Sequence, residues 1–195
     1  MEIMVLAIVG YLIGSIPFGY IAGIMHGVDL RTVGSGSTGG TNVYRALGIR
    51  WAALSGMLDL AKGLVFIFLL DTLTPTQTTL QWFLLLAPIV GHIYPVWLNF
   101  KGGKGVSVAF GGLMYVLGVL FAVVSIAIWI VALKIIKIMS LVNLVLFALL
   151  PVYVYATTQS LAYTIASAFV ALIIWWAHRE NIARLRTGNE KKLAI

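Results

Sequence analysis

Residues Val106–Leu133 read VSVAFGGLMYVLGVLFAVVSIAIWIVAL, an apolar stretch of 28 residues without a charged side chain. A helix needs about 20 residues to cross a bilayer. The stretch is therefore long for one crossing and short for two at full length. The charges at its ends decide the reading. Lys101 and Lys104 precede it, and Lys134 and Lys137 follow it. Because lysine and arginine collect on the cytoplasmic ends of spans, the stretch both starts and finishes inside. Two short helices, broken near Gly111-Gly112 or at Gly118, satisfy that requirement. The alternative is one tilted span with Lys134 and Lys137 snorkelling on the wrong side, which reverses the side predicted for the later helices. The basic tail favours the two short helices.

Working outward, further apolar runs cover about Ile3–Met25, Trp51–Leu70, Trp82–Leu98, Ile138–Ala156 and Leu161–Ala177. Pro17, Pro88 and Pro95 fall inside such runs and should kink or end helices there, freeing backbone groups. The segment 26–50 carries Arg31, Arg45 and Arg50, the connection 71–81 carries no basic residue, and the tail from His178 carries Arg179, Arg184, Arg186, Lys191 and Lys192. This distribution predicts an all-α integral membrane protein of about seven transmembrane helices, some short or broken, with its N-terminus outside and its C-terminus cytoplasmic. Glu2 and the lack of a basic leader mark the first run as a retained helix. No linker or repeat divides the chain, so residues 1–195 are expected to form a single polytopic domain.

Composition agrees. Hydrophobic residues make up 61% of the chain and charged residues 10%, with a mean hydropathy of +1.03. The net charge of +7 sits at segment ends and not in a patch interleaved with aromatics, which fits anionic lipid and phosphate and not nucleic acid. The absence of cysteine excludes disulfides, thiolate metal sites and a thioester intermediate.

Two loops stand out from this apolar background. They are Val33-Gly-Ser-Gly-Ser-Thr-Gly-Gly-Thr-Asn42 and Lys101-Gly-Gly-Lys-Gly105. Glycine lets backbone N–H groups converge on an anion, and a nearby cation neutralises it. Under the predicted topology both loops share a face with Ser140–Asn143 and His178–Arg184. Ser35, Ser37, Thr41 and Asn42 supply neutral donors on that face, and Arg45, Lys104, Arg179 and Arg184 supply charge. The inventory suits one or two phosphates. Each part also has a plainer reading: a glycine loop can be a simple connection, and Lys101 and Lys104 can be topology signals. The lysine loop is not a Walker A motif, because Val106 follows Gly105. His92 lies beside Pro95 at a helix end, where a freed carbonyl can satisfy it and a catalytic role also stays open; His178 suits an interfacial helix C-terminus. Asp59 and Lys62, three apart in an apolar run, should pair inside the bundle, and both a structural and a functional role stay open for them.

The acids are Glu2, Asp29, Asp59, Asp71, Glu180 and Glu190, and no Asp-x-x-x-Asp pattern exists to hold Mg²⁺. No metal or other cofactor is expected. The His-x-x-x-x-Asp pair of common glycerolipid acyltransferases is missing too: Arg31, Trp97 and Ala183 stand five residues beyond His26, His92 and His178.

Four strings then carry a family resemblance: Gly14-Ser-Ile-Pro-Phe-Gly19; Asp29-Leu-Arg31 with Gly34-Ser-Gly-Ser-Thr-Gly-Gly-Thr-Asn-Val-Tyr-Arg45; Gly91-His-Ile-Tyr-Pro-Val96 with Phe100-Lys-Gly-Gly-Lys-Gly-Val106; and His178-Arg-Glu-Asn-Ile-Ala-Arg-Leu185. In order and over essentially the whole chain, they closely resemble the bacterial PlsY family, the acyl-phosphate:glycerol-3-phosphate acyltransferases of the inner membrane. The resemblance implies acyl transfer from acyl phosphate to the 1-hydroxyl of sn-glycerol 3-phosphate, giving lysophosphatidic acid and phosphate, the first step of phospholipid synthesis. It implies an active site on the cytoplasmic side of a multi-pass inner-membrane protein, with acyl phosphate, glycerol 3-phosphate and membrane lipids as partners and no obligate protein partner.

Carried residue by residue, the resemblance puts Ser35, Gly36, Thr41, Asn42 and Arg45 at substrate phosphates. It makes Gly102, Gly103, Lys104 and Gly105 a phosphate-binding element. It also places Ser140 near glycerol phosphate, and His178 and Asn181 in the site, with Glu180 structural. Lys104, His178 and Asn181 are the expected catalytic residues. The chain departs from the family pattern Gly-Ser-Gly-Asn-x-Gly-Ala-Thr-Asn at Ser37 and Gly40. The competing reading is a transporter or flippase for a phosphorylated small molecule or lipid. Against it, the polar groups gather on one side, without a matching set of midplane charges or repeats.

Overall fold

Proline and glycine decide where the apolar runs become separate helices. The computed structural model describes residues 2–75 and 78–193, and all regular structure among them is helical. The first run divides at Pro17 into α1 (Glu2–Ser15) and α2 (Phe18–Met25). The polar loop comes next, then α3 (Gly40–Leu47) and α4 (Ile49–Leu73). The next run gives α5 (Thr78–Leu84) and α6 (Leu86–Ile93), with Pro88 in the first turn of α6. Proline lacks the N–H that would continue a helix from α5 at that point. Pro95 closes this stretch and is followed by a short 3-10 turn, Val96–Leu98.

The long apolar stretch is α7 (Val106–Ile136), interrupted at Gly118 with φ 85° and ψ 174°. That backbone conformation is essentially restricted to glycine. The break falls at one of the two expected places, while Gly111 and Gly112 stay helical. α8 (Met139–Thr158), α9 (Leu161–Ala177) and α10 (Arg179–Arg186) complete the described chain.

Among the described residues, five stretches are long and apolar enough to cross a membrane: Glu2–Met25, Ile49–Leu73, Thr78–Leu98, Val106–Ile136 and Met139–Thr158. α9 and α10, bent by 63°, make a sixth if the pair counts as one span. The Gly118 break divides the longest of these, and that division is the source of the seventh helix in the sequence reading.

The chain, expected to form one domain, packs as two compact units, Met1–Val116 and Leu117–Ile195. In the first, α4 touches α1, α2, α3, α5 and α6. Small residues allow these backbones to approach: a Cβ on Gly14 would strike the Pro88 backbone, and one on Gly91 would strike the Tyr11 carbonyl. Gly63 of α4 and Gly111 of α7 stand in the same relation to Val108 and Leu60. Lipid is as apolar as leucine, so helix association in a membrane relies on such contacts and on hydrogen bonds. Phe66, Ile67, Leu70, Leu85, Ile89 and Val108 fill the buried interior. In the second unit α8 packs on α9. Trp129 Nε1 donates to Asn143 Oδ1 at 2.9 Å and Trp175 Nε1 to the Leu144 carbonyl at 3.1 Å.

Candidate active site

The first glycine loop is shaped by Asn42, a buried residue at the start of α3. Its Oδ1 accepts from Ser35 N at 3.0 Å, and its Nδ2 donates to the carbonyls of Leu30 and Val33 at 3.0 and 3.1 Å. Both amide hydrogens are thereby used inside the loop. Asn42 holds the loop's shape, and donors toward an anion come from its neighbours. Gly34 and Gly36 have φ of 61° and 69°, the turns that place Ser35 between them. At the loop entrance the Arg31 guanidinium forks onto Asp29, with Nη2 to Oδ2 at 2.7 Å, and holds that carboxyl below its usual value. Ser35, Gly36 and Thr41 are half-buried or partly exposed, and Arg45 is exposed on α3.

The second loop returns from the 3-10 turn. Gly102 N donates to the Ile93 carbonyl at 3.1 Å and Gly103 N to the His92 carbonyl at 3.0 Å. These two amides are therefore committed to the chain itself, and anion binding in this loop falls to Lys104, to the backbone beyond it, and to neighbouring side chains. The two glycine loops meet within the first unit. Thr38 N and Ser37 Oγ both donate to the Gly102 carbonyl at 3.4 Å, and Ser37 Oγ accepts from Gly39 N at 3.3 Å. Ser37, one of the two departures from the family pattern, is thus a clasp between the loops.

Beneath this junction lies a buried charged cluster. Lys62 and Asp59 are 4% and 2% exposed, His92 8%. Lys62 Nζ lies 2.7 Å from Asp59 Oδ1, an ion pair outside hydrogen-bond geometry. Its hydrogen bonds go to the carbonyls of Gly14 and Ile16 at 3.0 and 2.8 Å and to His92 Nδ1 at 3.2 Å. The expected Asp59–Lys62 pairing is present. His92, which the sequence placed against a freed carbonyl, meets Lys62 instead, and it is Lys62 that takes the carbonyls at the Pro17 break.

In the second unit three expected or basic residues converge on a carboxylate that sequence reading passed over. Ser140 Oγ donates to Glu190 Oε1 at 2.8 Å, Asn181 Nδ2 donates to the same oxygen, and Arg184 Nε donates to Oε2 at 2.7 Å. Burial alone would raise the Glu190 carboxyl, but the hydrogen bonds from Asn181, Arg184 and Ser140 outweigh it and hold the group below its usual value. Glu180, expected to be structural, is exposed. Glu190 is the acid that ties the tail to α8 and α10, helped by Leu193 N donating to the Lys137 carbonyl at 2.7 Å. The only sequence signal for it was an isolated acid within a basic tail. His178, 1% exposed, joins α9 to α10, and its Nδ1–H donates to the Ile174 carbonyl at 2.8 Å. A neutral ring bound this way carries its lone pair on Nε2.

Comparison with known proteins shows the family. A family model described as Glycerol-3-phosphate acyltransferase matches residues 4–188. The chain belongs to that family. A glycerol-3-phosphate acyltransferase of Ehrlichia chaffeensis (strain ATCC CRL-10679 / Arkansas) is 41% identical over 194 residues, covering 98% of this chain and 96% of the relative. One from Prochlorococcus marinus (strain NATL1A) is 38% identical over 192 residues, covering 94% of each. The fold matches crystal structures of PlsY, an integral membrane glycerol 3-phosphate acyltransferase. Its glycerol 3-phosphate form aligns with a TM-score of 0.92 at 34% identity, over 100% of this chain and 96% of that one. Its lysophosphatidic acid form aligns with a TM-score of 0.90 at 32% identity over the same shares. This family member is therefore a multi-pass membrane acyltransferase, and the resemblance read from its four motifs holds.

Proposed function

We propose that the protein transfers a fatty acyl group from acyl phosphate to the 1-hydroxyl of sn-glycerol 3-phosphate, releasing lysophosphatidic acid and inorganic phosphate on the cytoplasmic face of the inner membrane. The observation that carries this reading is the junction of the two glycine loops, with Ser37 and Thr38 bound to Gly102 beside Lys104. A protein joining two anionic substrates needs such a concentration of donors and positive charge, and the relatives' names supply the acceptor.

Acyl phosphate is a mixed anhydride. The acceptor hydroxyl oxygen bonds to the acyl carbon, the bond from that carbon to the phosphate oxygen breaks, and phosphate leaves with the electron pair. The hydroxyl proton goes either to the acceptor's own phosphate or to His178, whose Nε2 lone pair suits a base. The protein's main task is to align two anions and stabilise charge developing on the acyl oxygen. Lys104 is assigned to the donor phosphate, Asn181 to the oxyanion, and Arg45 to the acceptor phosphate, with His178 beside it as a donor in its protonated form and as the rival base in its neutral one. Ser35, Gly36, Thr41 and Gly105 line these phosphates, Asn42, Gly102 and Gly103 shape the loops that present them, and Ser140, whose one proton goes to Glu190, holds the tail beside Asn181. Losing one oxyanion donor typically costs about 3 kcal/mol, or ~10² to 10³ in rate.

The test supplies purified protein with glycerol 3-phosphate and, in parallel, palmitoyl phosphate, palmitoyl-CoA or palmitoyl-carrier protein, and measures lysophosphatidic acid. Product from palmitoyl phosphate alone, abolished by Lys104→Ala in folded protein, is the expected result. Turnover from palmitoyl-CoA alone overturns the donor assignment. Vectorial uptake of glycerol 3-phosphate without any product would establish the transporter instead.

A further inference from the structure

We propose that His92 is a phosphate-binding residue of the Lys101–Gly105 loop, donating through Nε2–H, and that Lys62 and Asp59 are positioning residues that fix its tautomer. The inference rests on reading the loop as an anion site. The loop's need is visible in its backbone: Gly102 and Gly103 have given their amides to Ile93 and His92 carbonyls, so a ligand there requires donors from elsewhere.

His92 supplies one. The Lys62 ammonium has three N–H groups and no lone pair. They point to Gly14 O, Ile16 O and His92 Nδ1, so Nδ1 is the acceptor and the proton of the neutral ring resides on Nε2. A ring protonated on Nδ1 would turn an N–H toward a cation. Asp59, 2.7 Å from the ammonium and 3.5 Å from Nδ1, supplies the counter-charge that keeps a lysine at this depth. Among the described residues Nε2 has no hydrogen-bond partner. It faces the loop: a Cβ placed on Gly103 would fall on Nε2, so the ring edge lies against the loop backbone with no side chain between them. The cluster thus runs from a carboxylate, through an ammonium and an oriented imidazole, to an N–H at the glycine loop.

Binding of inorganic phosphate and of glycerol 3-phosphate, titrated separately by calorimetry, tests this without turnover. Lys104→Ala identifies which of the two the loop takes. His92→Phe keeps a ring without an N–H, and His92→Gln restores an N–H at the same reach. The expected result is that His92→Phe weakens the ligand that Lys104→Ala weakens by about tenfold or more, as loss of a hydrogen bond to a charged group does. His92→Gln should recover most of it, and affinity for the other ligand should hold. Equal weakening of both ligands, or of neither, overturns the proposal, as does a glutamine variant no better than phenylalanine. If both His92→Phe and Lys104→Ala weaken glycerol 3-phosphate alone, the assignment of the loop to the acyl donor falls, and His92 keeps its place in the loop. Nitrogen NMR of the unmutated protein gives a second reading independent of variant folding: an Nε2-protonated ring whose signal moves on phosphate addition supports the assignment, and an Nδ1-protonated or unmoved ring overturns it.

Discussion

Removing the charge of Lys62 should destabilise the protein far more than removing that of Asp59, although the two form one ion pair. Among the described residues Asp59 has only Lys62 at 2.7 Å and His92 at 3.5 Å, whereas Lys62 also serves two backbone carbonyls and an imidazole. Lys62→Met leaves a carboxylate that is 2% exposed without its cation; breaking a buried pair from one side costs about 3–5 kcal/mol. It also orphans the Gly14 carbonyl, which adds about 1–3 kcal/mol. Asp59→Asn also leaves a buried charge without its partner, but the ammonium keeps its three hydrogen bonds and no carbonyl is orphaned, so the cost stays at the lower end of the same range, about 3 kcal/mol. The double variant holds no buried charge, so its cost reduces to the orphaned carbonyl and it should be more stable than Lys62→Met alone by about 3 kcal/mol. Reversible unfolding in mixed detergent micelles, followed by circular dichroism, measures all three. An Asp59→Asn variant as unstable as Lys62→Met, or a double variant less stable than Lys62→Met, would refute the hydrogen-bond assignment around Lys62.

Four further outcomes are expected from the structure. Glu190→Gln should loosen the tail and flatten the acid limb of stability. The folded carboxyl lies below its unfolded value, so its contribution is present above the unfolded value near pH ~4.5 and is lost as pH falls through the lower folded one; an unchanged pH profile in chemical unfolding would contradict this. Asn42→Ala removes three hydrogen bonds within the first loop and should cost about 2–4 kcal/mol, with increased proteolysis near Ser35 as the readout. Gly118→Ala should cost about 1–3 kcal/mol despite open space around it, because φ is 85° there. Gly56→Ala, equally uncrowded but within α4, should instead stabilise by up to about 1 kcal/mol in thermal unfolding.

Much of the protein was legible because the signals are local. Run length and charge at run ends specify a membrane bundle, Pro17 and Pro95 end helices by lacking an N–H, and the Gly118 break arises from a stretch too long for one span with lysines at both ends. The glycine loops were visible for the same reason, since their composition suits turns that bind anions. Which groups those loops actually offer was not local. Asn42 spends both its amide hydrogens on the chain, and Gly102 and Gly103 spend their amides likewise. Lys62 finds Gly14 across 48 positions and His92 across 30, and Ser140 finds Glu190 across 50. A hydrogen bond depends on distance and direction between groups that only packing brings together, so residue type announced the capacity for phosphate chemistry while tertiary structure decided which donors remain for it.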